Sequence, residues 1–387
     1  MKKILKLVLS YLLISFNTFV LAIENKESNV LKIGILAPLS GELKSLGEEI
    51  IYSANLAIHD IGISNIKIYP KDSGSNKEKI IKACEEFEEE GISIILGPVE
   101  SKFVKELNKF ENLIFLSLSN INSTIDENVI MTGINLESQL IAIKKFIKKE
   151  NKNKTVILYP KNQYTKHIDK NINQVNFSNS KIFKYDQDPK KLTKQIEKLT
   201  NYKQRKINLE SRIKKLEGSE EPKDVRELNK LKQRYTLGKI NYDSFIIIDF
   251  GDSLKSVLTS LVYTDVAEKD VLIVAGNQWF DSTMLEETSI KNFYFPSIDL
   301  KSFKKFNKRF YQTYNYKPNE ITILAYDSIG LIYYLWKKKG NITSTKNFNF
   351  DKNIKGKIGK FKISDNKIIQ ELNIYKLEDG KFIQNKF

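Results

Sequence analysis

The chain has 387 residues, 41% of them hydrophobic, enough to build a core in each of two ordinary domains, which excludes a disordered chain. Its formal net charge of +16 rests almost wholly on lysine, with arginine only at positions 205, 212, 226, 234 and 309. Nucleic-acid readers lean on the bidentate arginine fork, so lysines scattered among Ile and Asn exclude nucleic acid as the expected partner.

The first residues point to export. Lys2 and Lys3 precede a mostly apolar run over 4–20, and Val20-Leu21-Ala22 offers the small residues that a signal peptidase reads, so residues 1–22 are expected to be a cleaved signal peptide and the mature protein periplasmic. Ser10, Ser15, Asn17 and Thr18 interrupt the run and argue against a membrane anchor. No cysteine stands at the expected new N-terminus, so a lipid anchor is not indicated. Cys84 is the chain's single cysteine; it shares a helical face with Ile80, Ile81 and Phe87 and is expected to be buried.

Residues 31–60 read as strand, loop and helix. An apolar strand over 32–36 runs into Pro38, Ser40 and Gly41, and from Gly47 the apolar residues Ile50, Ile51, Ala54, Ala57 and Ile58 recur at helical spacing, leaving Glu48, Glu49 and Asn55 for water. Small ligands of open α/β sheets sit beyond the carboxyl ends of strands, which makes the loop 38–47 a candidate cleft wall. The pattern repeats with strands at 66–70, 92–96 and 113–118, helices at 77–90 and from 102, and small polar loops after the strands. A second series follows, with a helix at 138–149 and strands at 155–159, 182–185, 245–248 and 271–275. A strand at 292–296, helices at 301–314 and 320–338, and a C-terminal hairpin of 359–363 with 371–377 about Ser364-Asp365-Asn366 complete the chain. Two α/β series imply two lobes with a cleft between them.

One segment breaks the alternation. From Leu192 to Tyr235, Leu192, Ile196, Leu199, Tyr202, Leu209, Ile213 and Leu216 recur near heptad spacing, then Gly218 and Pro222 intervene before Val225, Leu228 and Leu231. This predicts an inserted helical hairpin over 190–237, read either as a solvated spacer or as a protein-docking projection whose arm carries Lys203, Arg205, Lys206, Arg212, Lys214 and Lys215.

Reactive chemistry is not evident. The two histidines are His59, within the first helix, and His167, expected in a polar loop, and neither sits in a metal-binding spacing. No phosphate-binding glycine loop occurs, and the carboxylates at 85, 86, 88, 89 and 90 read as one solvated helix face. The expectation is a binding protein with no catalytic residues, no metal and no cofactor.

Taken together, KIGILAPLSG at 32–41, GPVES at 97–101, LSLSN at 116–120 and AYDSIGLIYYL at 325–335 resemble the leucine-binding group of type I periplasmic binding proteins. The resemblance implies a two-lobed flytrap with doubly wound parallel sheets and three crossovers. Lobe 1 would hold 29–135 and 297–340, and lobe 2 would hold 136–296 and 341–387. A narrower resemblance, carried by the charged insertion, residues 236–266, residues 272–287 and LSLSNINST followed by MTGI, is to the penicillin-binding-protein activator branch. It implies a regulator of a peptidoglycan synthase; the other reading is the receptor of an ABC importer, docking on its permease with an amino acid, amide or similar small polar solute. The lipobox cysteine and helical repeats of the best-known activator are not found in this chain.

Amino-acid receptors hold their ligand with a Ser-Ala-Thr stretch after the fourth strand, matched here by Ser119, Asn120 and Ile121. Losing the hydroxyl of the third residue forfeits a hydrogen bond to a charged group, worth roughly 1.5–3 kcal/mol, which argues against an amino acid. Cleft candidates are Ser40, Gly41, Gly97, Ser101, Ser117, Ser119 and Asn120 on lobe 1, Tyr164, Asp249, Asp252, Gln278 and Trp279 on lobe 2, and Asp327 near the hinge.

Overall fold

The computed structural model describes residues 30–121, 127–177, 180–266, 271–276, 293–350, 352–378 and 381–385. The expected signal peptide, residues 1–22, and two cleft candidates, Gln278 and Trp279, lie outside the described residues.

Two sheets form the frame. The first has eight strands in the order β11-β12-β13-β5-β4-β3-β1-β2, from β1 (Leu31–Ala37), β2 (Ile66–Asp72), β3 (Ile94–Leu96), β4 (Ile114–Ser117), β5 (Val129–Met131), β11 (Ile354–Gly356), β12 (Gly359–Ser364) and β13 (Lys367–Gln370). The second has seven in the order β15-β14-β10-β9-β8-β6-β7, from β6 (Thr155–Pro160), β7 (Lys181–Tyr185), β8 (Ser244–Ile247), β9 (Leu272–Ala275), β10 (Phe293–Ser297), β14 (Asn373–Glu378) and β15 (Lys381–Asn385). In each sheet the central strands are parallel and fully buried, which is why they read as unbroken apolar runs rather than alternating ones.

The helices cover the sheet faces. In order they are α1 (Lys44–Ile61), α2 (Lys77–Glu89), α3 (Leu136–Lys149), α4 (Thr165–Val175), α5 (Pro189–Leu199), α6 (Tyr202–Leu216), α7 (Pro222–Leu231), α8 (Gly251–Tyr263), α9 (Leu300–Tyr314) and α10 (Thr322–Lys339). Helices α1 and α10 pack together on one face of the first sheet, and the Ser53 hydroxyl donates to the Thr322 carbonyl at 2.7 Å. Glu49 is buried there, not solvated as its sequence position suggests, because its carboxylate accepts the Asn319 N–H at 2.6 Å. On the opposite face α2 buries Ile80, Cys84 and Phe87 against Phe103, Leu107 and Phe115. The Cys84 thiol is pushed up to about 12 by that burial, with Glu88 adding to it, and is inert as a nucleophile.

The chain passes between the sheets three times, at residues 132–135, 298–299 and 371–372. These passages are tied to one another. Asn135 donates to the Ile368 carbonyl at 2.5 Å, and the Gln370 N–H donates to the Ser138 hydroxyl at 3.0 Å. Tyr375 donates to the Ile298 carbonyl and accepts the Leu300 N–H, both at 2.9 Å. Ile134, Ile298 and Leu372 carry one apolar core across the passage from sheet to sheet.

Two expectations need correction. The C-terminal hairpin is not 359–363 with 371–377, nor does all of 341–387 belong with the second sheet. Strand β12 pairs instead with β13 about Asp365 and Asn366, both left-handed at φ 51° and 55° as a tight two-residue turn requires, and β11–β13 extend the first sheet. Only β14 and β15 join the second. The inserted segment is likewise not one hairpin over 190–237. Leu192, Ile196 and Leu199 of α5 enter the main core as the crossover between β7 and β8, and only α6 and α7 form a hairpin, with its own small seam of Leu209, Leu216 and Leu231.

Candidate functional site

A cavity of about 390 Å³ lies where strands of both sheets end. The first sheet contributes Asn120 and Ile121 from the loop after β4. The second contributes Pro160, Asn162 and Tyr164 after β6, His167 and Ile168 of α4, Ile248, Asp249 and Phe250 after β8, and Gly276 after β9, while Leu136 and Gln139 of α3 complete the lining. All these loops leave the carboxyl ends of parallel strands, where helix starts and unpaired main chain meet.

The lining is apolar with a few polar groups. Ile121, Leu136, Pro160, Ile168, Ile248 and the exposed ring of Phe250 make the body, and among the described residues no lysine or arginine belongs to it. Asp249 is the one carboxylate among the described lining residues. Its carboxylate accepts the Phe250 N–H at 2.8 Å, the Ser253 hydroxyl at 2.5 Å and the Tyr185 hydroxyl. His167 Nδ1 is buried and finds no hydrogen-bond partner among the described residues, and its Nε2 is 3.4 Å from the Asn171 amide nitrogen. Burial lowers the His167 pKa, with Lys170 adding to the effect, so the ring is neutral at physiological pH. A neutral imidazole, a side-chain amide at Asn120 and exposed rings can orient a small solute with an apolar body. A free α-carboxylate would find no lysine or arginine among the described lining residues.

Of the thirteen expected residues, Asn120, Tyr164 and Asp249 line this cavity. The others described do not. Ser40 donates to Asp72 at 2.6 Å and accepts the Lys79 ammonium at 3.0 Å, a knot that fixes the loop after β1. Gly41 stands at φ 75° in that exposed turn. Gly97 is at φ 114°, and a Cβ there would lie 2.1 Å from the Leu36 carbonyl oxygen; its N–H donates to the Leu116 carbonyl and is not turned to the cavity. Ser117 turns its hydroxyl into the Pro98 carbonyl at 3.0 Å, and the Ser119 hydroxyl accepts the Ile121 N–H at 3.2 Å. Ser101 begins a 3₁₀ turn, and Asp252 projects fully into solvent. Asp327 accepts the Lys357 and Ile358 N–H groups at 2.8 and 2.9 Å and holds the turn after β11, a structural task away from the cavity.

His167, expected in a polar loop, is instead a helical residue that faces the cavity. It stands three positions after Tyr164, one turn along the same face, and that spacing was the available signal. Phe250, directly after the β8 apolar run, carried a similar one. Gln139 and Asn162 had none.

No protein-family model and no curated protein matches the chain. Solved structures do match over 92% of it. The leucine-binding protein LivK from Thermotoga maritima aligns at TM-score 0.58 and 14% identity, with 98% of its own chain covered. The chain has the type I periplasmic-binding-protein fold. Two further type I structures span the range of roles. A solute-binding protein of an ABC transporter from Rhodopseudomonas palustris, in complex with 3,4-dihydroxybenzoic acid, aligns at TM-score 0.60 and 13% identity over 96% of its length. The C-domain of LpoA from Haemophilus influenzae, described as a regulator of PBP1A, aligns at TM-score 0.62 and 16% identity over its full length. Among the described residues no helix is long and apolar enough to cross a membrane, and no three His, Cys, Asp or Glu side chains converge as a metal site.

Proposed function

We propose that this chain is a non-catalytic binding protein of the periplasm, exported through residues 1–22, that regulates a peptidoglycan synthase by direct contact. The observation that carries the reading is the α6–α7 hairpin. It has an apolar seam of its own, it takes no part in the cavity, and it is anchored to the lobe rather than loosely tethered. Arg205 provides the anchor, buried at 4% exposure and donating to the carbonyls of Thr200, Thr264 and Asp265 and to the Thr236 hydroxyl. Arg212 forks onto Glu227 at 2.8 and 2.9 Å across the hairpin. The expected basic arm is therefore Lys203, Lys206, Lys214 and Lys215, which stay exposed, without the two arginines. Likeness to the LpoA C-domain agrees with this reading at the level of the fold. Replacing residues 207–232 by a short linker, which keeps Arg205, should leave the thermal melt of the lobes nearly unchanged and abolish capture of a purified peptidoglycan synthase; capture at wild-type strength by the shortened protein rejects the role.

A second reading is supported by the cavity itself, the receptor of an ABC importer. Its apolar lining, with Asp249 already triply hydrogen-bonded and Ile121 where a hydroxyl would serve an amino acid, favours a small uncharged or aromatic solute over a free amino acid. A thermal-shift panel of amino acids, amides and aromatic acids separates the two readings, because occupancy at a hundred times Kd raises stability by about 2.7 kcal/mol. A flat response across the panel rejects the receptor.

A further inference from the structure

Beyond the cleft and the hairpin, a trough of about 1200 Å³ lies over the hinge, built by α3, the start of α9 and strands β11–β13, with a second hollow of about 1030 Å³ continuing past β11. The two share Ser302, Asn353, Lys355 and Gly356, so they form one groove. No residue of 202–231 lines either part.

Lysines of this groove sit beside one another in positions that ordinary folding disfavours. Lys355 and Lys360 are direct cross-strand partners of β11 and β12, and Lys362 follows on the same outward face as Lys360, while Phe361 and Ile363 point inward. Lys301 and Lys305 are one turn apart on α9, as are Lys145 and Lys149 on α3. Like charges directly opposite on strands, or four apart on a helix, destabilise the fold that carries them. Lys145, Lys301, Lys305, Lys355, Lys360 and Lys362 are all exposed and form no ion pair among the described residues. Most of the groove's carboxylates are engaged within the chain, Glu137 with Lys367 at 2.5 Å, Asp299 with the Ser302 N–H at 2.7 Å, Glu371 with the Asn353 amide and Asp327 with the N–H groups of Lys357 and Ile358, while the exposed Asp365 accepts, among the described residues, only the neighbouring Ser364 hydroxyl at 3.3 Å.

We propose that this groove docks an extended acidic segment of a partner polypeptide. Shape and main chain select that occupant. A concave trough admits a single chain and excludes a flat bilayer. Strand β11 ends its sheet, so one row of its main-chain groups is turned away from β12 and can pair with an added strand, which a polyphosphate cannot supply. The segment's carboxylates would stand against the lysine pairs and relieve their repulsion. Because α3 follows one passage between the sheets and β13 precedes another, a docked segment would span both lobes beside the hinge.

The test uses the full chain and a fluorescently labelled oligoglutamate peptide read by anisotropy. Saturable binding is expected at low salt, weakening as salt screens the charges. K355E/K360E/K362E should weaken it about tenfold or more, while K203E/K206E/K214E on α6, with the same change in net charge, stays within about twofold. K355Q/K360Q/K362Q, which removes the like-charge pairs instead of reversing their sign, should weaken binding in the same sense and melt no lower than wild type, and it keeps the reading should the reversal fail to fold. Absence of saturable binding, equal loss in both triple variants, or binding of inorganic polyphosphate or anionic phospholipid vesicles without binding of the peptide overturns the proposal.

Discussion

The Tyr185 hydroxyl donates to the Asp249 carboxylate, joining the end of β7 to the turn after β8 at the wall of the inter-lobe cavity. Burial and the Asp249 charge both push the tyrosine pKa upward, so it remains a donor at any physiological pH. Tyr185→Phe removes one donor from a carboxylate that is only 6% exposed, and should destabilise the protein by about 1–3 kcal/mol in urea unfolding. A variant as stable as wild type would mean that Asp249 does not depend on this bond.

His167 confers a pH dependence whose sign is fixed by burial. Its folded pKa lies below the ordinary 6.5, so the unfolded chain binds the extra proton first as pH falls. Stability due to the neutral ring is therefore complete above about 6.5 and declines as pH drops toward the folded value. Urea midpoints between about pH 7 and about pH 5 should fall more steeply for wild type than for His167→Gln. Parallel curves would assign the acid sensitivity to other groups.

Arg205 is the buried join between hairpin and lobe. Its pKa is lowered by burial, with Asp265 and Tyr202 opposing, and it is charged in the fold at any physiological pH. Arg205→Met keeps the stem but strands four acceptors, and should cost about 2–4 kcal/mol. Limited proteolysis should then cut between 202 and 237 well before the lobes, and resistance equal to wild type would show that the seam alone holds the hairpin.

Asp72 governs the loop after β1. Burial raises its pKa, but the Lys79 ammonium, the Ser40 hydroxyl and the N–H groups of Leu39 and Gly74 outweigh that and hold it well below the usual carboxylate range. The stability it contributes is present above the unfolded value of about 3.9 and is lost as pH falls through the folded one. Asp72→Asn should therefore lower stability by about 1–3 kcal/mol at neutral pH, with the gap from wild type closing in strong acid. A gap constant with pH would indicate a packing effect instead.

Much of the frame was legible in the residues. The short, largely apolar runs at 32–36 and 245–248, bounded by turn residues, suit buried parallel strands, and Ile80, Cys84 and Phe87 declare the inner face of α2 by their spacing. The candidate site was less so. Ser40, Gly97 and Ser117 stand in the right loops, yet whether a hydroxyl or N–H meets a ligand or a neighbouring carbonyl depends on partners tens of residues away, such as Asp72, Leu116 and Pro98. The helical spacing of 192–216 similarly conceals a change of partner, from the main core at Leu199 to the separate seam at Leu209.

Local periodicity and turn chemistry, which act over a few residues, were enough for the sequence by itself to determine most strands, most helices, the two-lobed class and the buried thiol. Only the tertiary structure decided that 354–370 extends the first sheet, that Arg205 faces inward, that His167 faces the cavity and that lysines from α3, α9 and β11–β13 gather in one groove. Each of these is a matter of which distant surface a side chain meets, and pairing free energies between remote segments leave no periodic trace in the chain.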